Sequence, residues 1–201
     1  MTPMDALELE KRFNEEILAI SKYPEIITGN ENVAYASSAT STGKRLLEAL
    51  GRHGARSKDE LREKHPGAYE REVWNPNVED AKGFAERLRS RHKYVLNASE
   101  FHIKGWEQGH YNALWEQVIR KDNFNPICFN EGYHYSDGCV RELLLGIKCR
   151  KDTLDANGSG LVWGDEAEKI WQAIGDYEKI GVTPQNLINL HRDIWLYIES
   201  R

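Results

Sequence analysis

Val33-Ala34-Tyr35-Ala36, followed by Ser37-Ser38-Ala39-Thr40-Ser41-Thr42-Gly43 and then Lys44-Arg45-Leu46-Leu47-Glu48-Ala49-Leu50, is the stretch whose reading decides the fold. The opening run is short and apolar, which fits a buried strand. The middle is built of small polar residues and reads as a loop. The last part is helix-compatible. Strand, small-residue loop and helix in that order form the junction that lies at the ligand-binding edge of an α/β sheet.

Upstream, residues 7–20 read as an amphipathic helix with Leu7, Leu9, Phe13, Ile17, Leu18 and Ile20 as its apolar positions. Residues 23–32 read as a connector, with Pro24 and a Gly29-Asn30 turn. Downstream, 57–71 is highly charged and reads as an exposed helix or excursion, and Glu72-Val73-Trp74 as a second strand ended by Asn75-Pro76. Residues 78–91 form a helix pattern with Ala81, Phe84, Ala85 and Leu88 on one face, and Tyr94-Val95-Leu96 a third strand. Residues 106–120 give another helix, with Tyr111, Leu114, Trp115, Val118 and Ile119 inward, and Pro126-Ile127-Cys128-Phe129 a fourth strand. That strand runs into a loop over 131–138 and a helix containing Glu142. Alternation on this scale points to a parallel sheet with helices on both faces. Beyond Cys149 the chain turns polar over 152–160, then gives two helices over 165–180 and 184–200, the second announced by Thr183-Pro184. The organisation expected is an N-terminal helix and connector (1–32), an α/β domain (33–150) and a C-terminal helical extension (151–201).

With 201 residues the chain can bury a full core. A charge of -5 and a pI near 5.8 argue against a nucleic-acid polymer or an anionic membrane as main partner. No apolar run approaches a membrane span, and the N-terminus lacks a secretory pattern. Cys128, Cys139 and Cys149 have no CxxC pairing and read as reduced thiols of a cytoplasmic protein. The histidines form no HExxH and no zinc-ligand spacing, so neither a metal nor a cofactor is expected.

The segment Tyr133-His134-Tyr135-Ser136-Asp137-Gly138-Cys139-Val140-Arg141-Glu142 carries the chemistry. A turn-forming Ser-Asp-Gly precedes an apolar helix-compatible run, and Glu142 lies about one turn inside it. A carboxylate in the first turns of a helix is stabilised as an anion by the macrodipole. Free N–H groups at the helix start, with Ser136, can receive a sugar hydroxyl or a phosphate oxygen. An anionic carboxylate beside a sugar-binding turn suits a retaining glycosyl transfer. The alternative is a capped helix whose Glu142 is only a favourable first-turn charge.

The 37–44 loop invites a P-loop reading, but Ser38 stands where that pattern needs Gly, and Arg45 where it needs Ser or Thr. Its hydroxyls and amides at Ser37, Ser38 and Thr40, with Lys44 nearby, can still hold a sugar or phosphate; the alternative is a polar cap. Trp106, Tyr133 and Tyr135 fall in expected loops, where stacking a nucleobase competes with a subunit contact as their reason.

Together, Phe101-His-Ile-Lys-Gly-Trp-Glu-Gln-Gly-His-Tyr111, Leu114-Trp115, Phe129-Asn-Glu-Gly132 and Tyr135-Ser-Asp-Gly-Cys-Val-Arg-Glu142 resemble the nucleoside 2-deoxyribosyltransferase-like superfamily, which includes nucleoside 5'-monophosphate N-glycosidases. The similarity covers roughly residues 33–149. The family pattern of Ser or Asp, Gly, catalytic Glu and a Gly near the helix end falls on Ser136, Gly138, Glu142 and Gly146, and its first-strand loop on Tyr35 to Thr40. The resemblance implies a five-stranded parallel sheet and cleavage of a ribosyl or deoxyribosyl N-glycosidic bond. It implies Glu142 as nucleophile at C1', through a glycosyl-Glu intermediate resolved by water or a second base. Taken with the loop and aromatic readings above, the expected substrate contacts are Tyr35, Ser37, Ser38, Thr40, Ser136 and Gly138 to sugar or phosphate, and Trp106 and Tyr135 to the substrate's ring. Asp137 or Asp122 would be the acid. Where the transferases carry an Asp, this chain has Ser136, as the monophosphate hydrolases do; the family's base-reading Asp has no clear match. The expected partners are a small nucleotide or nucleoside and, as is common in the family, further copies of the chain in a homo-oligomer. A nucleotide-binding protein without turnover and a structural module are the competing readings.

Overall fold

The computed structural model describes residues 3–29 and 31–201. Asn30, and the side chains of Leu7 and Leu9 assigned above to the first helix, lie outside what is described.

Period-2 alternation in the first strand, β1 (Val33–Ser37), builds the centre. Tyr35 and Ser37 point to one face; Ala34 and Ala36 point to the other, where Ala36 packs with Phe84, Leu88 and Cys128. Small residues on that side let a helix lie close. Four parallel strands form the sheet, in the order β2-β1-β3-β4, with β2 at Val95–Asn97, β3 at Phe124–Phe129 and β4 at Thr153–Leu154. β1 and β3 pair through a shifted register around Asn125 and Pro126, so this in-strand proline falls at a bulge.

The helices are α1 (Pro3–Thr28), α2 (Lys44–His53), α3 (Lys58–Lys64), α4 (Asn75–Arg89), α5 (Gln108–Ile119), α6 (Asp137–Lys148), α7 (Trp163–Lys179) and α8 (Gln185–Glu199). α4 covers the Ala36 face. The larger core lies on the other face, where Tyr35, Ile127 and Phe129 meet Leu114 and Trp115 of α5 and Val140, Leu143 and Ile147 of α6. Ile17 of α1, Ile170 and Ile174 of α7, and Leu187 and Ile194 of α8 belong to the same buried cluster. α1, α7 and α8 therefore pack against the same core. No helix among the described residues is long and apolar enough to cross a membrane.

Several expectations are corrected. Among the described residues the sheet has four strands rather than five. Glu72-Val73-Trp74 is no strand: Glu70–Trp74 is a wide π-helical turn that runs directly into α4. Pro76 cannot donate a backbone hydrogen bond, and the wider turn places it in the opening turn of α4, where none is needed. The 23–32 connector is mostly helix, because α1 continues through Pro24 to Thr28. Lys121 reaches the Ser21 carbonyl and Glu25 from the α5–β3 turn, holding that last stretch of helix in place. Residues 57–71 are less exposed than their charge suggests: Leu61, Ala68 and Tyr69 are buried. Polar 152–160 hides β4, whose edge position needs only a short strand.

The chain leaves β1 towards β2 on one side, and leaves β3 towards β4 on the other. The carboxyl ends of β1 and β3 are therefore neighbours whose following loops diverge, which opens a crevice there.

Candidate active site

Tyr35 and Ser37 lie two residues apart on β1, so both side chains project from the same face towards α6. There they meet Glu142. The Tyr35 hydroxyl donates to Glu142 Oε1 at 2.7 Å, and the Ser37 hydroxyl to Oε2 at 2.6 Å. Each carboxylate oxygen thus has its own donor, both at charge-assisted distances. Tyr35 is fully buried and also stacks edge-on against Trp115, with centroids 5.8 Å apart. Burial pushes the Glu142 carboxyl up to about 7, against the opposing pull of the Ser37 and Tyr35 hydrogen bonds. The same burial, with the Glu142 charge beside it, holds the Tyr35 phenol well above its ordinary range, so the proton of that pair stays on tyrosine. Cys139, buried next to Glu142, is pushed up to about 12 by burial first and by that charge second, and remains a thiol.

α6 starts where Ser136 caps it, accepting from the Cys139 N–H. Thr42 bonds Ser136 Oγ at 2.8 Å, drawing the 38–43 loop over the start of α6. This loop has an asymmetric hydrogen-bond balance. The carbonyls of Thr40 and Thr42 accept from Asn77, that of Ser41 from Tyr69, and that of Gly43 from Tyr177. Among the described residues the N–H groups of Ala39, Thr40, Ser41, Thr42 and Gly43 find no acceptor, and the enclosed Ser38 hydroxyl has no partner. Gly43 holds φ 92° and ψ -172°, a conformation open to glycine. The loop leads into the N-terminus of α2 and its exposed Lys44. Free donors, a helix start and a cation gathered in one place favour an anion.

A cavity of about 220 Å³ runs beside Glu142, walled by Asn112 and Trp115 of α5, Gly138 and Arg141 of α6, and Leu190 and Asp193 of α8. Arg141 has no ion pair or hydrogen bond among the described residues.

The structure brings Tyr35, Ser37, Ser38, Thr40, Ser136, Gly138 and Glu142 to one edge. It gives several of them jobs other than the expected ones. Tyr35 holds the carboxylate, and the Ser136 hydroxyl, buried, is spent on the cap and on Thr42. Asp137 accepts from the Gly138 N–H and from Asn186 of α8. Tyr135 donates to Asp176 of α7. Trp106 packs on Tyr111 and donates to Glu16 of α1, away from the walls of the Glu142 cavity. Asp122 precedes β3 and so lies at the opposite edge of the sheet, which removes it as an acid for this site. Asn77, Tyr69 and Tyr177 were missed. Tyr69 falls in a stretch read as exposed, Tyr177 in a helix given no site role, and Asn77 just past a strand read as ending at Asn75-Pro76. Only the carbonyl count of the loop would have asked for their donors.

Compared with family models, with curated proteins and with solved structures, the chain returns no match.

Proposed function

We propose that the protein cleaves the N-glycosidic bond of a nucleoside 5'-monophosphate, with Glu142 as nucleophile. The observation that carries the reading is the half-buried Glu142 carboxylate held between Tyr35 and Ser37 at the carboxyl end of β1. The sequence resemblance supports it, as do the free amides of 39–43, suited to a phosphate. Glu142 attacks C1' of the sugar, and the C1'–N bond breaks with its electron pair leaving on the base. The base takes up a proton. Water, or a second base in a transferase, then attacks C1' and releases Glu142 as carboxylate. Tyr35 and Ser37 fix the carboxylate's orientation, so little reorganisation remains when charge develops on the sugar.

A second reading, nucleotide binding without turnover, is favoured by one observation. Asp137 has both oxygens engaged, which leaves no evident acid for the departing base. Chromatography of free base separates the two. Purified protein is incubated with ribo- and deoxyribonucleosides and their 5'-monophosphates, with and without an acceptor base. Base release from monophosphates that is lost in Glu142→Gln supports cleavage. Tight binding with no release in any well supports the second reading.

A further inference from the structure

We propose that Asn77 is a positioning residue that makes the 38–43 loop a receiver for the substrate's 5'-phosphate; this rests on the N-glycosidase reading above. Asn77 lies in the first turn of α4 and is 5% exposed. Its Nδ2 donates to the Thr40 carbonyl at 3.0 Å and to the Thr42 carbonyl at 2.9 Å, and its Oδ1 accepts from Arg45 Nη1 at 3.0 Å. The orientation of the amide is fixed by this set, since two carbonyls need donors and a guanidinium needs an acceptor. Arg45 is held in turn by Asp80 on α4. Tyr69, on the same helical arm, takes the carbonyl between them, Ser41.

The consequence is a sorting of backbone polarity. A loop of small residues has equal numbers of donors and acceptors and no inherent preference for an anion. Here Asn77 and Tyr69 engage consecutive acceptors, while the N–H groups of 39–43 keep no intramolecular partner among the described residues. With these carbonyls occupied, the donors of the loop outnumber its open acceptors, the polarity that anion-binding nests present. Asn77 supplies two of these contacts and is oriented by Arg45, so it holds two of the loop's carbonyls in place. Removing it should therefore weaken recognition of the phosphate and leave the bond-breaking carboxylate unaffected, since Glu142 is held from β1.

The test compares wild type with Asn77→Asp and Asn77→Ala on a nucleoside 5'-monophosphate and the corresponding nucleoside. Asn77→Asp keeps the shape but sets a carboxylate oxygen against the two carbonyls. The result expected is a rise in KM of at least tenfold for the monophosphate, with kcat within threefold and nucleoside cleavage within threefold. Equal losses on both substrates, or a loss confined to kcat, would overturn the proposal. If Asn77→Asp does not fold, Arg45→Gln removes the orienting guanidinium and should show a smaller effect of the same pattern. If the wild type releases no base, the N-glycosidase reading fails separately. Calorimetry with inorganic phosphate and with the monophosphate then decides: tenfold weaker binding in Asn77→Ala supports the role of Asn77, and unchanged binding, or no binding to wild type, removes it.

Discussion

Replacing Tyr35 by Phe should move the titration of Glu142 by more than a unit. The phenol packs in a fully buried position, so the ring of Phe fits and only the hydroxyl is lost. That hydroxyl donates at 2.7 Å to an oxygen of a carboxylate that titrates near 7. A hydrogen bond to a charged group contributes about 1.5–3 kcal/mol, which converts to roughly 1–2 pKa units. The tyrosine bond favours the ionised form, so its loss raises the pKa further, to between about 8 and 9. At pH 7 the ionised fraction would fall from about half to somewhere between roughly 1% and 10%. The assay is a carbon-13 NMR titration of the side-chain carboxylates, with the Glu142 resonance assigned by its disappearance in Glu142→Gln. It needs no substrate. Where turnover is measurable, the pH–rate profile of Tyr35→Phe should show its rising limb displaced upward by the same amount, with the rate recovering towards pH 9. A Glu142 resonance that titrates at the same pH in both proteins, or lower in the variant, would refute the argument that Tyr35 holds the anion.

The raised Glu142 has a stability consequence of definite sign. Between the ordinary 4.5 and about 7 the native state binds a proton that the unfolded chain does not, so stability falls as pH rises through this window. The loss is complete above about 7 and amounts to roughly 3 kcal/mol. Glu142→Gln should therefore melt higher than wild type at pH 8, with the difference vanishing below pH 5, while abolishing base release; equal melting at pH 8 would remove the burial argument. Tyr133→Phe deletes a donor to the buried Glu166 carboxylate and should cost about 1–3 kcal/mol, seen as a lower urea midpoint at unchanged slope. Gly43→Ala sets a Cβ 2.8 Å from that of Ala39 at φ 92° and should cost about 1–3 kcal/mol, with base release falling more than the folded fraction does. Tyr177→Phe frees the Gly43 and Tyr135 carbonyls that α7 now ties together, and should speed amide exchange in the 43–47 and 135–139 segments without changing the helical circular dichroism.

The patterns legible in sequence are a strand buried on both faces and helices buried along one side. β1 read correctly because its run is short and apolar, and α4, α5, α7 and α8 because their apolar residues recur at helical spacing. What failed did so for local reasons. Glu72-Val73-Trp74 has strand-like composition, yet Val73 alone is buried there, while Glu72 is bonded to Arg52, Arg71 and His53 on the surface of a helical turn. A strand two residues long, such as β4, has no period to read. In the site, Glu142 was visible from its turn-helix context. Tyr35 was visible as a position but not as a function, because a tyrosine inside a strand looks like core until its partner on α6, more than a hundred residues later, is in place.

The placement of Glu142 argues for function by its cost. A half-buried carboxylate that serves only packing could give way to an apolar side chain, and such replacements of buried charge are often neutral or stabilising. A first-turn surface charge that merely favours the helix dipole would lie on the exposed side of α6, where Arg141 and Lys148 are. Glu142 instead turns towards β1, whose one face supplies two donors, and among the described residues it has no ion pair. A paired cation would lower the carboxylate's proton affinity and hold it permanently in an ion pair. Hydroxyl donors fix its direction while leaving its charge available to an approaching positive centre. That combination does little for a structural carboxylate. It suits one that must meet positive charge developing on a sugar carbon, then accept a covalent bond there and release it.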